Sequence, residues 1–150
     1  MQLAPGAQFY PMWGSDEPRH FPDDGSLPPW SSYFPGVGGF RFGLFTVAPQ
    51  SAVLVADLNM QAAFEEMESK LPGLAGHMEP GNPGMHTSAT VDYEFVVSGR
   101  VVLELDDGVS KELTAGDTVV QNGTRHAWRN PSDEPCLMVG VMVGAHHDCV

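Results

Sequence analysis

The sequence predicts an all-β protein in which short antiparallel strands form a sandwich or barrel, accompanied by one short helix and preceded by an extended arm. Three observations support this fold class. Alternating polar and apolar residues, typical of half-buried strands, dominate the second half of the chain. Turn-forming residues separate the alternating stretches at short intervals. A helical period occurs in only one segment.

Length and composition indicate one globular domain spanning residues 1–150. Hydrophobic residues make up 42% of the chain and charged residues 17%, so a packed core is expected. The 7 basic and 19 acidic residues give a net charge of -12, which argues against nucleic-acid or membrane partners. We find no run of 18 apolar residues and no signal sequence. Because Cys136 and Cys149 imply no disulfide framework, a cytoplasmic location is expected, with a disulfide between these two cysteines as the alternative.

Residues 1–37 are predicted to form an N-terminal arm. Frequent prolines and glycines exclude a long helix, because proline lacks a hydrogen-bond donor and restricts the residue before it. Many aromatic side chains make the segment too apolar for a solvated linker. The arm is therefore expected to contain short strands and to pack over the outside of the domain or onto a neighbouring subunit.

The barrel is predicted over residues 38–144 and a short tail over 145–150. "GGFRFGLFTVAP" (38–49) reads as its first strand, because apolar residues alternate there. "DLNMQAAFEEMESKLPG" (57–73) changes to a helical period and ends at Leu71-Pro72-Gly73. One face of that helix carries Met60, Phe64, Met67 and Leu71. These side chains are interpreted as core packing.

The remaining strands are predicted from the turns between them. "VVLELDDGVSKEL" (101–113) reads as a hairpin, because Asp-Gly at its centre tolerates the positive φ angles of a tight turn. Turns predicted at 122–123 and 130–131 separate two further stretches from the final apolar strand.

Polar side chains share one face of the strand predicted within "GMHTSATVDYEFVVSG" (84–99). Successive strand residues point to opposite faces, so residues of equal parity point the same way unless a bulge intervenes. That parity carries His86, Ser88, Asp92 and Glu94. In "RHAWRN" (125–130), His126 and Trp128 share a parity in the same manner.

These two stretches resemble the two motifs of the cupin superfamily. In the first motif, His86 takes the first histidine position, Asp92 the glutamate position and Gly99 the closing glycine. The second motif is matched at Gly116, Asp117, His126 and Asn130. The resemblance implies a jelly-roll β-barrel with a pocket in its mouth. It also implies a homodimer that pairs through sheet edges and arm exchange.

The chain departs from the cupin pattern at two ligand positions. Cupins commonly hold a divalent metal with three histidines and a glutamate, but here Ser88 occupies the second histidine position and Asp92 replaces the glutamate. The resemblance therefore implies His86, Asp92 and His126 as metal ligands. Two imidazoles and a carboxylate suit Zn, Fe, Mn or Ni. The alternative is a metal-free pocket, and no nucleotide cofactor is expected, since nucleotide-binding motifs are absent.

Glu94 lies where cupins ordinarily pack an apolar side chain inside the barrel, so the resemblance implies a buried acid beside His86 or Asp92, unless a bulge turns it to solvent. Burial and a neighbouring carboxylate both raise the pKa of a carboxyl group, which favours acid and base chemistry. The candidate catalytic residues are therefore His126, Glu94, Asp92 and His86.

Three further residues are candidates for substrate binding. Trp128 is expected either to stack on a flat substrate or to fill the core. Ser88 shares the parity of the acids, and His77 is expected at the rim of the barrel or in a solvated loop. Arg41 and Arg125 are expected to be surface charges.

The resemblance implies a small-molecule enzyme, because stand-alone cupins similar to this chain occur in natural-product biosynthesis. The expected activity is that of a lyase or cyclase that decarboxylates, dehydrates or cyclises an aromatic or polyketide-like carbonyl compound. A non-haem metal-dependent dioxygenase and a non-enzymatic ligand-binding cupin are the two alternatives.

Overall fold

The computed structural model describes residues 2–4, 7–26, 30–55 and 60–148. The strands are β1 (Gln2–Ala4), β2 (Ala7–Ser15), β3 (Phe40–Val47), β4 (Thr90–Ser98), β5 (Arg100–Glu104), β6 (Ser110–Thr114), β7 (Thr118–Asn122), β8 (Ala127–Arg129) and β9 (Cys136–Gly144). The helices are α1 (Gln50–Val55), α2 (Met60–Lys70) and α3 (Leu74–His77), and a single 3-10 turn spans Asp106–Gly108. The predicted all-β class is confirmed.

The strands form two antiparallel sheets that face each other. The larger sheet has the order β1-β2-β3-β9-β4-β7, and the smaller has the order β6-β5-β8. Both sheets contribute to one buried cluster, which consists of Val96, Val101, Leu103, Leu113, Cys136 and Met138. This cluster closes one end of the barrel and leaves the other end free for a cavity.

The alternation predicted for β4 is confirmed. Every even position from Thr90 to Val96 is buried, and the odd positions Tyr93 and Phe95 are exposed. His86 differs from the prediction, because it precedes β4 and forms an isolated bridge with His126. The chain therefore crosses from the smaller sheet to the larger sheet between residues 86 and 90.

The arm is joined to the barrel more closely than its composition predicts. β2 pairs along β3 from Phe9 opposite Phe45 to Ser15 opposite Phe40, with a bulge between Pro11 and Trp13. Phe9 is buried in a second cluster with Leu71 and Leu74. The arm was expected to pack over the outside of the domain or onto a neighbouring subunit, and in the structure its aromatic side chains also contribute to the interior.

The predicted helix is confirmed, and it is flanked by two helices that were not predicted. Leu71 is buried and Met67 packs beside it, but Phe64 is half exposed, so the expected apolar face is only partly buried. The side chain of Met60 and all of Cys149 lie outside the described residues. Gly73 ends the segment with φ of 85°, a left-handed conformation that favours glycine.

The predicted turns are confirmed where β5 meets β6 and where β7 ends. Asp107 and Gly108 have φ of 57° and 74°, and Gly123 has φ of 60°. Among the helices of the described residues, none has the length and apolar character needed to cross a membrane.

A candidate active site in the barrel cavity

Three neighbouring strands build one wall of a cavity of about 730 Å³. Cross-strand pairing places Gly43, Gly140 and Glu94 side by side on β3, β9 and β4. The adjacent row toward the open end contains Arg41, Met142 and Asp92. Cross-strand partners share a face, so these rows line the same space. Since two of the six positions are glycines, the wall carries few side chains and the cavity remains open.

Gly140 leaves room for the carboxyl group of Glu94, because it has no side chain. A Cβ atom at residue 140 would lie 2.8 Å from Glu94 Oε2 and 3.1 Å from Oε1. The Glu94 carboxyl group therefore lies directly against the backbone of β9. The expectation that Glu94 points into the barrel is confirmed, and no bulge turns it to solvent.

Asp92 and Glu94 form a pair of buried acids. Their exposed fractions are 5% and 8%. Asp92 Oδ1 and Glu94 Oε2 are buried without a hydrogen-bond partner. Burial raises the pKa of Asp92 to about 6, although a hydrogen bond from the Thr90 side chain opposes this. Burial, assisted by the Asp92 charge, raises the pKa of Glu94 well above its usual range.

Ser88 supports Asp92 from behind. Its hydroxyl lies 2.8 Å from the Thr90 hydroxyl, and both residues are buried. Since Thr90 hydrogen-bonds Asp92, the two hydroxyls form a short chain that ends on the acid. Ser88 is not among the residues lining the cavity, and we assign it to positioning of Asp92.

His86 and His126 form a pair across from the acids. Each backbone N–H donates to the carbonyl of the other residue at 2.9 Å, and the ring centroids are 4.4 Å apart. The bridge brings together two side chains that are forty residues apart in the sequence. Both line the cavity, together with Asp92 and Glu94.

Hydrogen bonding determines the tautomer of both imidazoles. His86 Nδ1 lies 3.0 Å from the Gly84 carbonyl, and His126 Nδ1 lies 2.9 Å from the Thr124 carbonyl. A carbonyl oxygen only accepts, so each Nδ1 carries a proton and donates it. Burial lowers the pKa of His86, and burial together with the nearby His86 lowers the pKa of His126 to about 4. Both rings are therefore neutral near pH 7, with a lone pair on Nε2.

The donor set meets the requirements of a metal only in part. Neutral imidazoles whose Nδ1–H donates to a backbone carbonyl are in the state that metal-binding histidines adopt. Within the described ranges, however, no group of three or more His, Cys, Asp or Glu side chains is arranged to hold a metal ion. His86 and His126 meet, but Asp92 does not complete a three-residue site with them. The metal set inferred from the sequence therefore stays a prediction.

Aromatic side chains close the rest of the cavity. Trp128 lies edge-on to His126, with ring centroids 6.0 Å apart, and also packs against the buried cluster. The arm contributes Phe9, Tyr33 and Phe34 to the lining. Burial, with the charges of Glu94 and Asp92, raises the pKa of Tyr33, which keeps its hydroxyl protonated. The position of these arm residues could not be predicted, because their approach to the cavity depends on contacts between residues far apart in the chain.

The structure corrects the prediction for Arg41. Its side chain is 1% exposed and lines the cavity, where the sequence predicted a surface charge. It forms an ion pair with Asp16, donates to the Ser32 carbonyl at 2.7 Å and lies 4.5 Å from the centre of the Trp30 ring. The sequence contained one indication of this position. Arg41 and Gly43 are two residues apart on the same strand, so they point to the same face. Arg125 lies near the surface in ion pairs with acidic neighbours, as predicted.

His77 lies next to the site without lining the cavity. Its ring is 4.5 Å from Phe34, whose other neighbour is His86 at 6.3 Å between centroids. His77 Nδ1 lies 2.8 Å from the Gly73 carbonyl and donates to it. Phe34 therefore stands between the two histidines, and His77 supports the aromatic wall from behind.

Comparison with known proteins identifies the barrel. Residues 76–143 match the family model of the cupin domain, Cupin_2. Oryzines biosynthesis cluster protein J of Aspergillus oryzae is 44% identical over 54 residues, which cover 35% of this chain and 30% of that protein. The cupin-domain-containing oxidoreductase virC of Hypocrea virens is 39% identical over 65 residues, which cover 43% of this chain and 33% of that protein. The matched part thus spans about a third of the length of these curated relatives.

A solved structure supports the fold over nearly the whole chain. The Cupin 2 conserved barrel domain protein from Salinispora arenicola aligns with a TM-score of 0.50 and 20% identity. The alignment covers 97% of this chain and 82% of that protein. Identity this low shows the fold alone. Taken with the family match, it shows that residues 76–143 match the Cupin_2 domain model and that the chain has the fold of a cupin barrel.

Proposed function

We propose that this cupin is a small-molecule lyase or cyclase of natural-product biosynthesis, and that Asp92 and Glu94 carry out acid and base chemistry in the barrel cavity. The observation that carries the proposal is the buried pair of acids, each with an unpartnered oxygen, lining the same largely apolar cavity as two neutral histidines. Buried acids with perturbed pKa values are costly to the fold and concentrate at functional sites.

The two acids suit different roles near pH 7. With a pKa of about 6, Asp92 is mostly ionised and suits a general base. Burial and the charge of Asp92 raise the pKa of Glu94 well above its usual range, so we assign the proton of the pair to Glu94, which then suits a general acid. Residues two apart on one face of a strand are separated by roughly 7 Å, a distance that a small substrate can span.

The histidines suit a role as hydrogen-bond acceptors. Because Nδ1 of each ring donates to a backbone carbonyl, only the Nε2 lone pair faces a ligand. In this state neither ring has an N–H free to donate to the carbonyl group of a substrate, so we do not assign the histidines a role in polarising that group. A substrate hydroxyl that donates to Nε2 of His86 or His126 would be oriented over the acids.

Dehydration of a β-hydroxy carbonyl compound illustrates how the groups would act. Asp92 takes the proton on the carbon next to the carbonyl, and the released electron pair forms the new double bond. The carbon–oxygen bond to the hydroxyl breaks as Glu94 gives its proton to the departing oxygen, and water leaves. Asp92 then holds a proton and Glu94 a charge, and exchange with solvent resets the pair.

The curated relatives support a biosynthetic role. One is named as a member of the oryzines biosynthesis cluster and another as a cupin-domain-containing oxidoreductase. The aromatic wall formed by Trp128, Tyr33 and Phe34 favours a flat or aromatic substrate, because such rings prefer edge-on and offset-stacked contacts.

The proposal is tested by following loss of water or carbon dioxide by mass spectrometry. The probes are a panel of aromatic β-hydroxy ketones and β-keto acids. We expect Glu94→Gln to lower turnover by about 100-fold or more, the usual range for a general acid. Glu112→Gln, at an exposed position on β6, makes the same chemical change and should leave turnover unaltered. Full activity in Glu94→Gln would refute the assigned role.

The relative named as an oxidoreductase favours a second candidate, a metal-dependent dioxygenase. In that case Nε2 of His86 and of His126 would supply two ligands, and a bound metal would supply the oxygen chemistry. Elemental analysis of protein purified without chelator separates the candidates. About one equivalent of iron, lost in His126→Ala, would favour oxidation, whereas turnover that persists in a chelator would favour the acid and base route. Binding of the same probes without conversion would favour a non-enzymatic cupin.

A further inference from the structure

Tyr33 brings a hydroxyl group from the arm into the cavity that holds the two buried acids. Its side chain lines this cavity together with Asp92 and Glu94. Burial and the charges of both carboxyl groups raise the pKa of Tyr33, so its phenol stays protonated near pH 7. The cavity therefore contains a neutral O–H donor close to the pair of acids.

The Tyr33 hydroxyl forms no hydrogen bond with any of the residues that the structure describes. A phenolic O–H that is removed from water ordinarily finds an acceptor. Since the side chain lines a cavity, we expect that acceptor to be an atom of a bound ligand.

The ring of Tyr33 is held in place from two sides. It meets Phe9 edge-on at 5.4 Å between ring centroids and Phe34 edge-on at 4.9 Å. The backbone is fixed as well, because the Tyr33 N–H donates to the Pro72 carbonyl at 2.7 Å. A donor that is positioned before the substrate arrives needs no reorganisation during the reaction, and it therefore stabilises a developing charge effectively.

Most of the other buried donors on the cavity wall are engaged. Arg129 donates to Glu104 at 2.6 Å, and both terminal nitrogens of Arg41 donate to backbone carbonyls of the arm. The Nε atom of Arg41 has no partner, but neighbouring atoms cover it. The indole N–H of Trp128 is the competing donor, and the experiment below separates it from the Tyr33 hydroxyl.

The chemistry proposed for the cavity requires a donor at the carbonyl oxygen of the substrate. When Asp92 removes the proton next to the carbonyl group, negative charge develops on that oxygen. Neither histidine has a free N–H, and Glu94 gives its proton to the departing hydroxyl group. Without a further donor, the charge would develop in a largely apolar space with nothing to stabilise it.

We propose that the Tyr33 hydroxyl is a catalytic group that donates a hydrogen bond to the carbonyl oxygen of the substrate. The inference rests on the proposed function and specifies it, because it assigns a carbonyl oxygen that points toward the arm. The phenol keeps its proton throughout. Its hydrogen bond is strongest while the oxygen carries charge, and that charge returns to form the new double bond as the carbon–oxygen bond to the leaving hydroxyl breaks.

The variant Tyr33→Phe removes the hydroxyl group and keeps the ring contacts with Phe9 and Phe34. Turnover of the β-hydroxy ketones should fall by about 100-fold, the usual cost of losing one donor to a developing oxyanion, with little change in KM. The control is Tyr93→Phe, which makes the same chemical change at a position on β4 that is 52% exposed. It should leave turnover unaltered.

Infrared spectroscopy of a bound ketone tests the same hydrogen bond without turnover. The probe is benzylacetone, isotope-labelled at its carbonyl carbon, which lacks the hydroxyl group needed for loss of water. We expect its carbonyl band at lower frequency in the wild type and Tyr93→Phe than in Tyr33→Phe, because a hydrogen bond weakens the C=O bond. Equal frequencies in the wild type and Tyr33→Phe would overturn the proposal, as would a shift that only Trp128→Phe removes. So would a wild-type chain that fails to bind the ketone at about 1 mM, the upper end of ordinary KM values.

The two measurements separate this inference from the proposed function. A band shift that Tyr33→Phe abolishes, with no conversion of any probe, would support the hydrogen bond and refute the lyase activity. Full turnover in Tyr33→Phe, with a loss in Glu94→Gln, would refute the catalytic role of Tyr33 and leave the acid and base chemistry in place.

Discussion

At the scale of single residues, the barrel places its ionisable groups in an order that sequence parity alone does not give. Asp92 and Glu94 are buried side by side, and the Ser88 and Thr90 hydroxyls stabilise the charge of Asp92 but not that of Glu94. The two carboxyl groups therefore titrate differently although they share a strand and a face. Sequence reasoning found the pair of acids, whereas their separate roles depend on the contacts behind each one.

Stability should depend on pH through Asp92. Its pKa is about 6 in the fold, whereas an aspartate in the unfolded chain has its ordinary value of 3.8, so between these values the folded state binds more protons than the unfolded state. The contribution of Asp92 to the free energy of unfolding is favourable below pH 4. About 3 kcal/mol of this stability is lost as the pH rises to 6. Asp92→Asn removes this dependence. Its stability relative to wild type should therefore increase between pH 4 and 7, as measured by urea unfolding.

The histidines do not obscure this comparison. Because the pKa of His126 is lowered in the fold, His126 contributes stability that is lost as the pH falls from 6.5 toward 4. This loss is the same in the wild type and in Asp92→Asn. Asp133→Asn, at an exposed position, shows the effect of removing one surface charge. Parallel curves for wild type and Asp92→Asn would contradict the buried, perturbed state of this acid.

At the scale of elements, strand β9 has two glycines that are needed for different reasons. At Gly140 an added Cβ would meet the end of the flexible Glu94 side chain at 2.8 Å. At Gly144 it would clash with the backbone oxygen of Gly36. A side chain can move aside but a backbone cannot without refolding the segment. The first glycine thus serves the site, and the second serves the junction with the arm.

We expect Gly140→Ala to fold with less than about 1 kcal/mol of lost stability, since only the Glu94 carboxyl has to move. The displaced Glu94 should titrate at a lower pH, observable by carbon-detected NMR, and turnover should fall. Gly144→Ala should lower the free energy of unfolding by about 3 kcal/mol or more, because the added methyl group would clash with backbone atoms that cannot move without refolding the segment. Thermal unfolding measures both. Equal destabilisation by the two changes would contradict this assignment.

The arm is fixed over the cavity by Arg41. The guanidinium group donates to the carbonyls of Ser15 and Ser32 at 2.8 and 2.7 Å and pairs with Asp16. Tyr33 N–H also donates to the Pro72 carbonyl at 2.7 Å. These bonds hold the segment that carries Tyr33 and Phe34 against the mouth of the barrel.

Arg41→Ala should therefore loosen the arm and destabilise the fold by about 2–4 kcal/mol. The estimate lies below the full cost of breaking a buried ion pair, because Asp16 is 30% exposed. Hydrogen exchange of residues 30–36 should accelerate more than exchange in β4. The control is Arg19→Ala, which breaks an ion pair with Asp23 on the outside of the same arm. It should lower the free energy of unfolding by at most about 1 kcal/mol. Comparable exchange in the two variants would argue against the role of Arg41.

At the scale of the whole molecule, charge and hydrophobicity are distributed in an unusual way. The larger sheet turns its acids and its arginine toward the cavity, whereas Tyr10, Tyr93 and Phe95 are exposed on its outer face. The net charge of -12 repels other anionic molecules over the surface as a whole.

Much of this architecture could be predicted from the sequence. Alternation located β4 and its inward face, and the turns at Asp107 and Gly123 have the positive φ angles that their residue types favour. The prediction failed at Arg41, where a lone charge in an apolar strand was assigned to the surface. It also failed at Phe64, which has the helical period of a core residue but is 50% exposed. Periodicity identifies a face, but whether that face is covered depends on its neighbours.

The sequence by itself determined the fold class, the cupin motifs and the set of side chains that could act, since strand period, turn chemistry and motif spacing are local properties. Only the tertiary structure decided which of those side chains meet. His86 and His126 become neighbours through two backbone hydrogen bonds, Gly140 makes room for Glu94, and Tyr33 and Phe34 close the cavity from the arm. Each of these contacts joins segments far apart in the chain. Their geometry follows from the pairing of the strands, which no local pattern contains.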